Sequence, residues 1–412
     1  MFHDHHFHPI GYAHLLNGLE LMAADRLEAL LGMVRARADV VEGPIIGQRL
    51  NDEGLAELRL PTAADIDEVV ADRPVLLYRY CGHIAIANST ALALAGVDSR
   101  TPDPAGGSLD RDRAGRPTGV LRETAIGLVS NILGPITPAP SDSALLHALS
   151  ALPTMGITSI TGIVSHGPGI WGGEEDELDT LIRLAPDLPV DVDVLVITDR
   201  PDALADAAAR IGRTEGRIRF HGWKDFADGS LGGHTAAMHE PFDDRPETRG
   251  TVRLDPHHAL TMGLASAGLG GVTAIHAIGD LANDLVLDVM AEMIREGVDP
   301  DLLRIEHASV LTGGAIQRFA DLGITASVQP AFLASEDSWV EKRLGSARMS
   351  RLYPFRSLLE AGVHVIGGSD APVEHPEPET AIRAATTRPN INPAEALTRD
   401  QAMSLFEPPH RA

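Results

Sequence analysis

The chain has 412 residues, enough for two or three average domains or for one elaborated α/β barrel. Its 34 basic and 58 acidic residues give a formal net charge of −24, which argues against nucleic acid or an anionic membrane surface as a partner. Cys81 is the only cysteine, so an internal disulfide and a thiolate zinc finger are excluded, and a reducing cytoplasm is the expected location. No apolar run is long enough for a membrane span.

The predicted elements begin at residues 2–9, FHDHHFHP, which hold four histidines in six positions. His6 and His8 stand one residue apart, so on an extended strand both imidazoles face the same side, where they could bind one metal ion. The alternative is a histidine-rich terminus that is a tag remnant or disordered. The pattern downstream favours a strand that ends in a pocket.

Seven further β-rich runs follow, and amphipathic helical stretches such as Leu281–Gly297 and Gly313–Leu322 lie between most of them. The runs are Gly156–Ile163, Pro189–Ile197, Ile218–Phe226, Gly271–His276, Leu303–His307, Gly323–Gln329 and Gly362–Gly368. Eight strand–helix units in one chain predict an α/β fold, specifically a closed parallel (β/α)8 TIM-like barrel rather than an open sheet.

One long segment, residues 43–140, interrupts this pattern after the first strand. It is rich in glycine, proline and turn signals, and it carries a strand candidate of its own, Pro74–Tyr80. We therefore expect residues 1–42 and 141–412 to form the barrel and residues 43–140 to form an insertion over the barrel mouth.

Candidate metal ligands stand at or near the carboxyl ends of the predicted strands, where barrel active sites are built. They are His6, His8, Lys224, His276, His307 and Asp370. A single histidine after a strand is more often structural, but six competent residues in register with barrel topology indicate a shared site. Asp370 has the further alternative of capping a helix.

The sequence resembles the amidohydrolase superfamily, in particular the amidohydrolase 3 (YtcJ-like) branch that includes N-substituted formamide deformylases. The resemblance covers nearly the whole chain and is carried by short motifs in a fixed order. They include Asp4-x-His6-x-His8, Gly115–Glu123, Lys224–Gly232, Ile275–Asp280, Glu306–Ala308 and Gly368–Val373.

This resemblance implies a hydrolase with one or two divalent metal ions, most often zinc. His6 and His8 would hold the first ion, completed by Asp370, and His276 and His307 would hold the second. Lys224 would be carboxylated and bridge the two ions, since a lysine ammonium offers no lone pair to a cation. An ordinary ion-paired lysine is the alternative. The expected reaction is cleavage of an amide-like C–N bond (N-formyl, N-acyl or cyclic amide) of a small molecule by a metal-activated hydroxide, with Asp370 moving the proton.

Other residues carry weaker signals. His83 and Asn88 follow the strand of the insertion and could bind substrate, although such residues commonly satisfy loop backbone. His234 stands where an arginine is common in the family, and Cys81 where an acidic residue is common, so the substrate specificity is open. Asp280 is a helix cap or a partner that orients His276.

The expected domain content sets a limit on the resemblance. Family members carry flanking segments that form a small β-sandwich, and we expect this sandwich to be absent here. This keeps open a truncated barrel that binds a ligand without turnover. A mononuclear deaminase of the same superfamily stays open for another reason, because residues 276–280, HAIGD, resemble the histidine-plus-acid arrangement of that lineage. The sequence leaves a homo-oligomer open as well.

Overall fold

The computed structural model describes residues 1–104, 106–133, 141–167, 176–388 and 390–409. The chain divides into two compact units. The barrel unit comprises Met1–Pro9, Leu145–Gly167 and Glu177–Ala412, and the mixed-sheet unit comprises Ile10–Ala144 and Pro168–Asp176. Residue 140, the predicted end of the insertion, lies outside the described residues. The location of residues 43–140 over the barrel mouth stays a prediction.

The strands are numbered along the chain. They are β1 (Phe2–Phe7), β2 (Leu19–Glu20), β3 (Ile45–Leu50), β4 (Val75–Arg79), β5 (Ile84–Ala87), β6 (Gly107–Arg111), β7 (Pro117–Glu123), β8 (Ile157–Ser165), β9 (Asp191–Ile197), β10 (Ile218–Phe226), β11 (Val272–Ala277), β12 (Leu303–His307), β13 (Thr325–Val328) and β14 (Val365–Gly367).

The α-helices are numbered in the same way. They are α1 (Pro9–Asn17), α2 (Leu27–Ala38), α3 (Ala63–Asp67), α4 (Ser89–Leu94), α5 (Gly127–Leu133), α6 (Asp142–Ser150), α7 (Glu177–Leu184), α8 (Pro201–Arg213), α9 (Pro256–Gly268), α10 (Asp280–Arg295), α11 (Gly313–Leu322), α12 (Phe332–Ser335), α13 (Val340–Leu344), α14 (Phe355–Glu360), α15 (Pro378–Thr387) and α16 (Arg399–Ser404).

Eight parallel strands build the barrel unit, in the order β1-β8-β9-β10-β11-β12-β13-β14. A parallel bridge between Phe7 and Ala371 brings the first strand to the segment after the last, so the sheet is a nearly closed barrel. Strands β8 and β12, for example, are buried along nearly all of their length, as expected when helices cover a parallel sheet. The eight predicted strands and the barrel are thereby confirmed.

The helices of the barrel unit are amphipathic. In α8, for example, Leu204, Ala207 and Ile211 are buried on one face while Pro201 begins the helix, where a missing backbone N–H costs nothing. This spacing explains why the helical stretches between the strands could be recognised from sequence.

The mixed-sheet unit contains a six-stranded sheet of order β2-β3-β4-β5-β7-β6. The first three strands are parallel and the others pair antiparallel. In β4, Val75 and Leu77 belong to one apolar cluster and Leu76 and Tyr78 to another, because successive side chains point to opposite faces. The predicted strand Pro74–Tyr80 is thus a central strand buried on both faces. Among the described residues, no helix is long and apolar enough to cross a bilayer.

Candidate functional site

Three of the six predicted ligands meet at one point of the barrel unit. The Nε2 atoms of His6 and His8 lie 3.3 Å and 3.2 Å from the same carboxylate oxygen, Oδ1 of Asp370. All three side chains are buried. Within the part of the chain that the structure describes, they form the only group of three histidine, cysteine or carboxylate side chains whose ligand atoms all lie within 4.8 Å of one another.

The closure of the barrel brings these residues together. The N–H of Asp370 donates to the carbonyl of His6, and the N–H of His8 donates to the carbonyl of Ala371, each at 2.8 Å. Gly368 permits this approach, because a Cβ at that position would lie 2.5 Å from the backbone nitrogen of His6. The two ends of the barrel sheet therefore carry the two halves of the group.

Asp4 links the same two segments through hydrogen bonds. Its Oδ1 accepts the backbone N–H groups of His6 at 3.1 Å and Ser369 at 2.9 Å. Burial raises the pKa of this carboxyl to about 6, although the hydrogen bonds from Ser369 and His6 oppose the rise. Asp4, which the sequence placed only in a motif, is thus a structural link between β1 and the segment after β14.

His276 and His307 lie beside this group. Their ring centroids are 4.4 Å apart, and the ring of His307 is 4.9 Å from that of His6. His307 and Asp370 have φ angles of 74° and 57°, a left-handed conformation that non-glycine residues rarely adopt. Such backbone strain is concentrated at functional sites, where the surrounding structure compensates for it.

Each of these histidines is oriented by an acceptor at one ring nitrogen. His6 Nδ1 lies 2.6 Å from Oε2 of Glu306, and His307 Nδ1 lies 2.7 Å from Oε1 of Gln329. Because both acceptors lack a proton to donate, the imidazoles donate from Nδ1 and keep the Nε2 lone pair. Neither role was predicted from the sequence: Glu306 appeared only as part of the Glu306–Ala308 motif, and Gln329 was not singled out.

His276 is oriented through its other ring nitrogen, Nε2. Its Nε2 lies 3.0 Å from the carbonyl oxygen of Gly229 and 3.3 Å from Oδ1 of Asp228. Its Nε2 therefore donates, and Nδ1 keeps the lone pair. Asp280 instead accepts the backbone N–H groups of His239 and Leu281, so the carboxylate beside His276 is that of Asp228.

This donor set fits a divalent cation. His6 donates from Nδ1, so its Nε2 lone pair points toward the carboxylate oxygen of Asp370. Two electron-rich atoms 3.3 Å apart repel each other unless a proton or a cation lies between them. Burial lowers the pKa of His6, but the carboxylates of Asp370 and Glu306 outweigh burial and raise it, which shows that this position favours a positive charge. Nitrogen and carboxylate oxygen are the ligands that zinc and similar ions prefer.

Lys224 lies inside the barrel and is almost completely buried. Its Nζ is 3.7 Å from the ring centroid of Phe226, and that ring is 5.5 Å from the ring of His276. Burial lowers the pKa of the amine to about 8, although the carboxylates of Glu306 and Asp370 oppose the fall. An appreciable fraction is therefore neutral near physiological pH.

The two candidate substrate-binding residues of the mixed-sheet unit lie in different surroundings. His83 Nδ1 lies 2.9 Å from Oε2 of Glu123. Asn88 is fully buried and caps α4: its Oδ1 accepts from Val75 and Ala91, and its Nδ2 donates to two backbone carbonyl oxygens. All the side-chain hydrogen bonds of Asn88 described above go to backbone groups. This is the structural alternative to substrate binding that the sequence analysis named, so Asn88 is not part of the proposed site.

His234 belongs to the loop that follows β10, the loop whose Gly229 carbonyl contacts His276. Its Nε2 lies 3.0 Å from Oδ1 of Asp244, which also pairs with Arg343. The φ angle of His234 is 56°, and its ring packs edge-on against Phe242. His234 is therefore held firmly in place, and its contact with a substrate stays a prediction.

The family model described as "Amidohydrolase family" (Amidohydro_3) matches residues 2–409. The chain belongs to the amidohydrolase family. One relative, the putative amidohydrolase YtcJ of Bacillus subtilis (strain 168), is 32% identical over 98% of this chain and 77% of its own length. The N-substituted formamide deformylase of Arthrobacter pascens is 30% identical over 85% of this chain and 66% of its own. The family prediction is confirmed.

A solved member of similar fold supports the architecture. The crystal structure of an uncharacterized metal-dependent hydrolase from Pyrococcus horikoshii superposes with a TM-score of 0.75 and is 27% identical. The match covers 98% of this chain and 79% of that one. The fold of this amidohydrolase family member is thus shared with a metal-dependent hydrolase, while the chain spans about two thirds to four fifths of the length of these relatives.

Proposed function

We propose that the chain is a metal-dependent hydrolase that cleaves an amide-like C–N bond, in an N-formyl, N-acyl or cyclic amide, of a small molecule. The observation that carries this proposal is the convergence of His6, His8 and Asp370 on one point, with His276 and His307 beside them. Family membership supports the reaction type, and the name of the deformylase relative supports the choice of bond.

In this proposal His6, His8 and Asp370 hold the first divalent ion, which we take to be zinc. His276 and His307 hold a second. When bound, such an ion supplies Lewis acidity that acidifies water and polarises a carbonyl group. The protein supplies imidazoles with fixed tautomers, because Glu306 and Gln329 accept the Nδ1 protons of His6 and His307.

Asp370 is the proposed proton carrier. Burial would raise the pKa of its carboxyl, but His6 and His8 outweigh burial and hold the pKa well below its usual range, so the group is ionised at neutral pH. As water attacks the carbonyl carbon, the Asp370 carboxylate accepts its proton. It then returns that proton to the leaving nitrogen as the C–N bond breaks, which yields a carboxylic acid and an amine.

Lys224 is the proposed bridging ligand after carboxylation. A neutral amine attacks the carbon of CO2, and the nitrogen releases one proton to solvent as the N–C bond of the carbamate forms. The pKa of about 8 keeps part of the Lys224 population neutral at physiological pH. The resulting carbamate carries two oxygen donors where the amine had none for a cation. Loading the chain with zinc in the presence and absence of bicarbonate, followed by intact-mass measurement, tests this step: we expect a mass increase of one CO2 only with bicarbonate, and only with Lys224 in place.

The mononuclear deaminase is retained as a second candidate for one reason. Among the described residues, only one group supplies three histidine or carboxylate donors without help from a modified lysine. A metal content of one ion per chain at saturating zinc, with Lys224 unmodified, would favour a mononuclear deaminase over the binuclear hydrolase.

The deciding experiment is a screen of N-formyl, N-acyl and cyclic amides with the zinc-loaded protein and with its Asp370→Asn variant. We expect hydrolysis of at least one class, with kcat lowered by a factor of about 100 or more in the variant, because general acid–base groups contribute on that scale. Hydrolysis that survives the substitution unchanged would remove Asp370 from the proposed role. A small-molecule substrate, a cytoplasmic location and the absence of nucleic-acid and membrane partners remain predictions.

A further inference from the structure

Two histidines of the site are oriented by side chains of different charge. His6 donates to the carboxylate of Glu306 at 2.6 Å, whereas His307 donates to the amide oxygen of Gln329 at 2.7 Å. All four side chains are buried in the barrel unit. The two pairs thus have the same geometry and differ in one formal charge, which makes them an internal comparison.

The charge matters because an acceptor at Nδ1 changes the donor strength of Nε2. A carboxylate polarises the Nδ1–H bond more than an amide does, so it makes the imidazole a stronger ligand. Arg304 pairs with Oε1 of Glu306 and donates to the carbonyl of His5. It therefore fixes the carboxylate so that Oε2 faces His6.

The amide at position 329 is not required by its surroundings. Its Oε1 accepts from His307, and its Nε2 has no hydrogen-bond partner among the described residues although it is buried. A glutamate at this position would lose no hydrogen bond from that nitrogen. Glutamine therefore keeps this buried position neutral, although its Nε2 donor has no hydrogen-bond partner among the described residues.

In the second pair the nearer acceptor of each imidazole is a neutral oxygen. His276 donates to the carbonyl oxygen of Gly229 at 3.0 Å. The Oδ1 atom of Asp228 lies farther from His276 Nε2, at 3.3 Å, and that carboxylate also accepts the backbone N–H groups of Ala237, Ile278 and Gly279. The first group, by contrast, contains a carboxylate ligand atom of its own, on Asp370.

We propose that Gln329 is a positioning residue that keeps the His276–His307 pair a weaker divalent-ion site than the His6–His8–Asp370 group. The chain then fills its two ion sites in a fixed order, and the second ion is exchangeable at concentrations that leave the first in place. This inference rests on the proposed function, since it assumes that both groups bind ions.

The test is a zinc titration of the full chain against a chromophoric chelator at constant bicarbonate. We expect two resolved binding steps in the wild-type chain. Gln329→Glu should tighten the second step by about tenfold or more and leave the first unchanged, because partners of ligand histidines change affinity by about 10- to 100-fold. Glu306→Gln should weaken the first step by a similar factor. Titration with Co²⁺ gives the same readout spectroscopically, since the absorption bands of the second ion should appear at lower Co²⁺ in Gln329→Glu.

Gln317→Glu is the matched control, because it makes the same charge change on an exposed position of α11. It should leave both steps unchanged. Far-UV circular dichroism checks that each variant folds, and the Gln329→Glu arm decides the question even if Glu306→Gln, which leaves Arg304 without its carboxylate, fails to fold.

Three results would overturn the inference. They are two steps of equal affinity in the wild-type chain, a second step that Gln329→Glu does not tighten, and a single step of one ion per chain. In the first two cases both groups still bind ions and the proposed binuclear hydrolase stands, whereas a single ion per chain favours the mononuclear deaminase instead. A chain that binds no ion at all overturns both the inference and the proposed function.

Discussion

Replacing Asn88 with alanine should destabilise the mixed-sheet unit without changing how substrate is bound. The fully buried side chain makes four hydrogen bonds of 2.9–3.0 Å, all to backbone groups. A net contribution of about 1 kcal/mol for each bond puts the loss at roughly 4 kcal/mol, because the buried backbone partners stay unsatisfied in the variant. Loss of the helix cap is part of that figure.

Urea unfolding followed by far-UV circular dichroism measures the loss, and hydrogen exchange at the amides of Val75 and Ala91 locates it. Asn17→Ala is the matched control, since that exposed side chain makes one hydrogen bond to the carbonyl of Ala13 and should cost under about 0.5 kcal/mol. The reasoning is refuted if Asn88→Ala costs less than about 1 kcal/mol, or if the folded variant keeps kcat while KM for its substrate rises, which is the behaviour of a binding residue.

Two further predictions concern the barrel unit. Gly368→Ala should abolish zinc retention, because the added Cβ would lie 2.5 Å from the backbone nitrogen of His6 and push β1 away from the segment after β14. The control Gly313→Ala should retain zinc, since no atom lies within 4 Å of its added carbon. Equal metal content in the two variants would contradict this prediction. Burial, helped by Arg304, lowers the pKa of His221 in the folded chain to about 3 from its ordinary 6.5. The unfolded chain therefore binds more protons between pH 6.5 and 3, and stability falls as pH drops through that window. His221→Gln should flatten this part of the curve of urea midpoint against pH, and an unchanged slope would refute the assignment.

The barrel strands could be predicted because their signal is local. Most are short runs rich in buried β-branched residues with a helical stretch after them, and β10 and β12 have the predicted ends. In the mixed-sheet unit only β4 was recognised. The turn at Asp112, whose carboxylate accepts the N–H groups of Ala114 and Arg116, is a signal that could have revealed the hairpin of β6 and β7.

The candidate ligands could be named from their strand-end positions, but the side chains that orient them could not. Glu306 reaches His6 across 300 residues of sequence, and it does so because closure of the barrel brings β1 close to β12. Gln329, the partner of His307, stands one residue past the end of β13. Its contact with His307 depends on how β13 pairs with β12. The role of Asn88, by contrast, could be predicted from local sequence. Asn-Ser-Thr before an alanine- and leucine-rich run is a helix-cap signal.

Metal analysis of the purified chain tests directly whether His6, His8 and Asp370 bind a divalent ion. We expect at least one zinc ion per chain at neutral pH, retained through gel filtration. We also expect loss of that ion when His6 and His8 are both changed to alanine, and retention when His147 and His258, which lie outside the group, are changed instead. A chain that retains no zinc or other divalent ion, or one that retains it equally in both double variants, would contradict this prediction.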